Sequence, residues 1–189
     1  VDPAFPYDDG PRTTTLEAFA DTIIPGARRT PGDRAVAGAA PGPGAVEAGA
    51  LTLLDDPATG IGDGLDDLVR RLNEHAREHL RRREPGREPG APAFAALPFT
   101  ERTALVKALT APGHPEREAW IGVALFCFMA FDSAAHLHTR DALAAGHPGL
   151  RTLGLADPDP DGLWRFPAFS YRCRLADPHP ATTASGSPA

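Results

Sequence analysis

Read from its N-terminus, the chain alternates between stretches with a helical period and stretches with none. Leu16, Phe19, Ala20, Ile23 and Ile24 recur at the roughly 3.6-residue period of an amphipathic helix. Thr14-x-x-Glu17 ahead of them has the pattern of a capping box, and Pro25-Gly26 supplies a stop. Residues 1–12, with three prolines, read as an extended arm. Residues 26–43 read as loop. The stretch 44–54 is helical again, with Val46, Ala50, Leu53 and Leu54 on one face, and Asp55-Asp56-Pro57 ends it. A longer helix is predicted from about Asp63 to Arg83, striped by Leu65, Leu68, Val69, Leu72 and Ala76.

The proline-rich residues 84–98 read as loop, after which Thr100 is placed to cap a short helix holding Leu105, Val106 and Leu109. Pro115 suits the first turn of the next helix. That helix is predicted to run to about Ala145, with Gly146 as its left-handed terminator. Its first half is apolar on every face, the pattern of a buried central helix. Beyond His147 no period survives. The tail is expected to coat the helices to about residue 180, because Trp164, Phe166, Phe169 and Tyr171 favour burial, and 181–189 are expected to fray. No strand pattern emerges. The expected fold is all-α: one domain over residues 13–180, about five helices around a buried central helix, and a long irregular C-terminal segment.

Composition narrows the function classes. A formal net charge of -6 leaves no basic excess to neutralise phosphates, which argues against nucleic-acid binding. The longest apolar run, Trp120–Phe131, is too short to span a membrane. Two cysteines, Cys127 and Cys173, make neither a disulfide framework nor a thiolate metal site. As the sequence stands it reads as cytoplasmic. If a signal preceded Val1, the mature chain would be exported.

Three places carry candidate chemistry. On the predicted 115–145 helix, Asp132 and His136 are four residues apart and share a face, with His138 close by. A carboxylate that orients an imidazole makes a general base, and Trp120, Phe128 and Phe131 would line an apolar pocket beside it. The competing reading is a structural hydrogen bond where the helix leaves the core. His75-x-x-Glu78-His79 matches a zinc-binding pattern, but six arginines crowd the same helix and no third ligand is announced. The tail aromatics, Trp164 and Tyr171 among them, suit either a binding surface or the covering of a core.

Two segments bear a family resemblance. Leu16-Glu-Ala-Phe-Ala-Asp-Thr-Ile-Ile-Pro25 and Pro43-Gly-Ala-Val-Glu-Ala-Gly49 resemble, in order and spacing, the first two blocks of the gluconate 2-dehydrogenase subunit 3 family. The C-terminal half, with Gly146-His-Pro-Gly149, Asp161-Gly-Leu-Trp164 and Ser170-Tyr171, looks like a related group of actinobacterial proteins associated with flavin oxidoreductases. The resemblance implies a small, non-catalytic subunit with no cofactor of its own. Its partner would be a glucose–methanol–choline-type oxidoreductase large subunit that holds FAD. The alternative is a stand-alone helical enzyme that uses Asp132, His136 and His138 on an apolar, secondary-metabolite-like substrate.

Overall fold

In the computed structural model the described residues are 10–155. The expected arm and tail, with Trp164, Tyr171 and Cys173, lie outside them, apart from residues 10–12 of the arm. Eight α-helices are found among the described residues: α1 (Pro11–Ile23), α2 (Ala50–Leu54), α3 (Gly62–Arg83), α4 (Ala93–Ala96), α5 (Phe99–Leu109), α6 (Arg117–Asp132), α7 (Thr139–Ala144) and α8 (Pro148–Leu153). No strand occurs there, and the all-α bundle expected from the sequence is what forms.

The bundle is built around a buried central helix, but that helix is α1. It packs against α2, α3, α4, α5 and α6. Its polar residues obscured this. Thr14, Thr15, Asp21 and Thr22 are all buried, and the hydroxyls of Thr15 and Thr22 donate back to the carbonyls of Pro11 and Ala18, so hiding them leaves no donor unpaired. Ala18 and Ala20, fully buried, let neighbouring helices approach closely. Phe19 packs on Phe94 and Trp120, with ring centroids 6.4 and 6.0 Å away. The capping box is not formed. Pro11 starts the helix a turn earlier, Thr14 lies inside it, and Glu17 turns to Arg29 instead.

The long α3 stands as predicted, with Leu65, Leu72, Ala76 and Leu80 facing inward. Asn73 on the same face donates to Thr15 Oγ1 and accepts from the Phe94 amide, both at 3.0 Å. That amide belongs to α4, a single turn within what the sequence marked as loop. Thr100 is not the cap of α5. Pro98 occupies that position and Thr100 sits in the first turn, while Leu105, Val106 and Leu109 are buried as expected.

Two predicted helices are broken. Over 44–54 only Ala50–Leu54 is α-helical, because Gly49 takes φ +85° and ends the turns before it. The helix predicted to reach Ala145 stops at Asp132. Ala134 adopts φ +49°, the Ala135 amide bonds back to the Met129 carbonyl, and a new helix, α7, begins at Thr139. Gly146 terminates α7 at φ +70° as the sequence indicated, and His147 and Pro148 then open α8.

The loop 26–43 is tied down by charge. The Asp21 carboxylate accepts from the amides of Gly26 and Ala37. Arg102, also buried, donates to the carbonyls of Arg34, Ala35, Ala95 and Leu97, with its nearest guanidinium nitrogen 4.0 Å from Asp21. Arg29 bridges Glu17 and Asp33. Where the loop returns, the Ala45 amide donates to the Ile24 carbonyl at 3.0 Å and the Ala27 amide to the Gly42 carbonyl at 2.7 Å. The two segments that carry the family resemblance therefore meet backbone to backbone.

Candidate functional site

The break after Asp132 takes apart the acid–base pair read from the sequence. Asp132 is the exposed last residue of α6, His136 lies in the 133–138 connection, and His138 is exposed at the start of α7. No hydrogen bond or ion pair joins Asp132 to either histidine. The physical reason is Ala134. Its left-handed backbone turns the chain before His136 can occupy the next turn of α6.

His136 instead meets His147, their ring centroids 5.8 Å apart. His147 is fully committed. Its Nδ1 accepts from the Leu150 amide at 3.4 Å, which leaves Nε2 protonated to donate to the Ala48 carbonyl at 3.0 Å. His136 Nδ1 is buried with no hydrogen-bond partner. Its Nε2 edge faces Gly49 so closely that a Cβ there would lie 2.5 Å away. Burial chiefly, then the neighbouring His147, lowers the His136 pKa, with Asp56 pulling the other way. The sequence flagged the Gly146–Gly149 segment only as a resemblance. It gave no sign that His147 is its buried anchor.

The expected aromatic pocket does not assemble. Trp120 and Phe131 are buried in the packing of α6, whereas Phe128 is 47% exposed. Trp120 donates to Glu116 at 3.1 Å and serves as core. Trp164 and Tyr171 fall outside the described residues.

His75 and His79 do share a face of α3, but each faces a different carboxylate. His75 Nε2 is 2.7 Å from Glu116 and His79 Nε2 is 2.6 Å from Glu101. Glu78 pairs with Arg81 and Arg82. No group of three or more His, Cys, Asp or Glu residues is arranged to hold a metal ion among the described residues. What the motif builds is a clasp of α3 to α5 and α6. Sequence reading missed Glu116, which gathers His75, Arg71 and Trp120 from two helices, because nothing in a linear pattern pairs residues 41 positions apart.

Burial opposes ionisation of Glu116, but the donors from His75, Arg71 and Trp120 outweigh it and hold the carboxyl below its ordinary value. The sign follows. Its folded value is the lower one, so its stabilising contribution is complete at neutral pH and is lost as pH falls from the ordinary carboxylate range through the folded value. Glu116→Gln is expected to flatten the acid limb of a plot of urea midpoint against pH. An acid limb identical to that of the parent would show that the clasp contributes nothing.

Polar clefts offer less. A cleft of about 330 Å³ beside α1 carries Glu17, Arg29, Asp33 and Arg34, and Arg29 is bound to both of its carboxylates.

The clearest surface signal is apolar. Among the described residues the large hydrophobic side chains left exposed are Leu125, Phe128, Leu137, Leu153 and Leu155. All five fall between positions 125 and 155, on α6, the 133–138 connection and the end of α8. Leu125 and Phe128 are one turn apart on the side of α6 opposite its core contacts, with half-buried Ile121 a turn earlier. The apolar all-round pattern of this helix thus reflects a core face plus a second face left open. Next to it, α8 is pressed so tightly on α6 that a Cβ on Gly149 would lie 2.0 Å from the Phe131 carbonyl oxygen.

Compared with known families, the sequence matches a family of unknown function, DUF5987, over residues 10–189. The chain belongs to DUF5987. The DUF5987 match takes in the whole described bundle, from the first turn of α1 through the apolar surface on α6–α8. No curated protein and no solved structure matches the chain.

Proposed function

We propose that the chain is a small, non-catalytic subunit that docks through α6 and α8 onto a glucose–methanol–choline-type oxidoreductase, the partner holding FAD. The observation that carries this reading is the segregation of every large exposed hydrophobic side chain among the described residues into positions 125–155. Scattered leucines on a protein surface need no explanation, but Leu125 and Phe128, exposed together on one face of α6, are an apolar pair of the kind found at interaction surfaces. Stable interfaces cover about 800 Å² per partner. Leu125 and Phe128 on a rigid helix would form the dry centre of such a contact, where binding energy concentrates. The flavoenzyme class of the partner is supported by the resemblance of residues 16–25 and 43–49 to gluconate 2-dehydrogenase subunit 3.

The test is recovery from the native host. A tagged chain is expected to bring down a flavoprotein in fixed stoichiometry, with oxidoreductase activity found in the complex and not in this chain. A chain that is recovered by itself and turns over a substrate unaided overturns the reading.

A further inference from the structure

We infer that residues 133–138 form a proton-sensitive latch, closed while a neutral His136 is seated between Gly49 and His147 and opened when that histidine is protonated. Three observations, all geometric, meet at this ring. The Nδ1 atom is buried with no partner. A neutral imidazole protonated on Nε2 leaves only a lone pair there, which is tolerable. The added proton would go to Nδ1 and create a buried, charged donor with no acceptor, which is costly. His147 cannot supply one, because its Nδ1 is occupied by the Leu150 amide and its Nε2 is committed as a donor to Ala48. Nor can the ring slide deeper, since it already fills the space where Gly49 has no side chain.

The segment is also easy to release. Ala134 holds a left-handed backbone, unfavourable for a residue with a Cβ. It anchors the segment through a small cluster with Ala142 and Leu150 that is separate from the main core. Regions tied by so few apolar contacts open at a small fraction of the global unfolding cost. The charged and titratable groups that act on the ring are His147, which disfavours its protonation, and Asp56 near the end of α2, which favours it. The segment also carries Leu137. Opening would therefore change the apolar surface, a consequence that rests on the docking proposal, whereas the latch itself does not.

The isolated chain suffices for the test. The imidazole carbon resonances and the amide hydrogen exchange of Ala135 and Leu137 would be followed by NMR from about pH 8 to about pH 5. Both amides are bonded within the connection or to the end of α6. His136 is expected to titrate below the roughly 6.5 of a free imidazole. Exchange at the two amides, corrected for its intrinsic pH dependence, is expected to rise by up to about tenfold per pH unit in that window. His136→Gln should abolish the rise. A His136 midpoint at or above the free value, or an identical rise in His136→Gln, overturns the inference. Should the variant not fold, the parent titration still decides.

Discussion

Replacing Arg102 by Leu is expected to cost about 4 kcal/mol, within the range of roughly 3–5 found when one member of a buried ionic network is removed. The residue is 4% exposed and its guanidinium donates to the carbonyls of residues 34, 35, 95 and 97. Those oxygens lie on the loop after α1 and at the C-terminal end of the one-turn helix α4, so one guanidinium fastens the irregular loop to the last carbonyls of α4. Leucine fills much of the volume and supplies none of the donors. Asp21 also loses its nearest cation, at 4.0 Å. Against a total stability of about 5–15 kcal/mol, this is enough to leave the domain marginal. Urea unfolding checks it: the midpoint should collapse with the slope retained. Arg102→Lys should fall in between, since an ammonium keeps the charge but not the fork of five donors. A Leu variant within about 1 kcal/mol of the parent would contradict the account of how the loop is held.

Gly44→Ala is expected to be nearly as damaging. A Cβ there would lie 2.6 Å from the Gly26 amide nitrogen, 2.6 Å from the Ile24 carbonyl oxygen and 2.8 Å from the Pro25 carbonyl carbon. All three are backbone atoms, so no rotamer change relieves the overlap. The two strands of chain must separate, with loss of the bonds from Ala45 to Ile24 and from Ala27 to Gly42. Overpacking a fitted contact costs typically about 1–3 kcal/mol, and a rigid backbone contact belongs at the upper end. Gly42→Ala is the control. Nothing lies within 4 Å of its Cβ position and its φ is not positive, so its thermal midpoint should be close to that of the parent. Equal midpoints for the two variants would show that the Gly26–Gly44 contact does not constrain the fold.

These two sites show which parts of the structure were legible in the sequence. The α3 helix was, because Leu65, Leu68, Val69, Leu72 and Ala76 keep a helical period against charged neighbours. The centre of the bundle was not. Thr14, Thr15, Asp21 and Thr22 made α1 look half-solvated, and their burial depends on hydrogen bonds, such as Asn73 to Thr15, that join residues 58 positions apart. The break after Asp132 was hidden because Ala134 is neither Gly nor Pro. Nothing in the local pattern marks a left-handed alanine, and with it the proposed Asp132–His136 pair failed. His136 itself remained a residue of interest, but its partners, Gly49 and His147, are brought to it by the packing of α8 and the turn before α2. The apolar excess of residues 120–131 is visible in the sequence, where it reads as a buried helix or, in the alternative, as the lining of an apolar pocket. Only the fold separates the core face from the open one.

The docking surface is the central claim, and one comparison tests it most directly. The tagged chain and a Leu125→Asp/Phe128→Asp variant would be expressed side by side in the native host and assayed for co-recovered flavoprotein. Both substituted residues are about half exposed, so the variant should keep the helical signal and urea midpoint of its parent. The account predicts stoichiometric flavoprotein with the parent chain and at least a tenfold loss, about 1.4 kcal/mol or more, with the folded variant. Equal recovery by the two chains would contradict it.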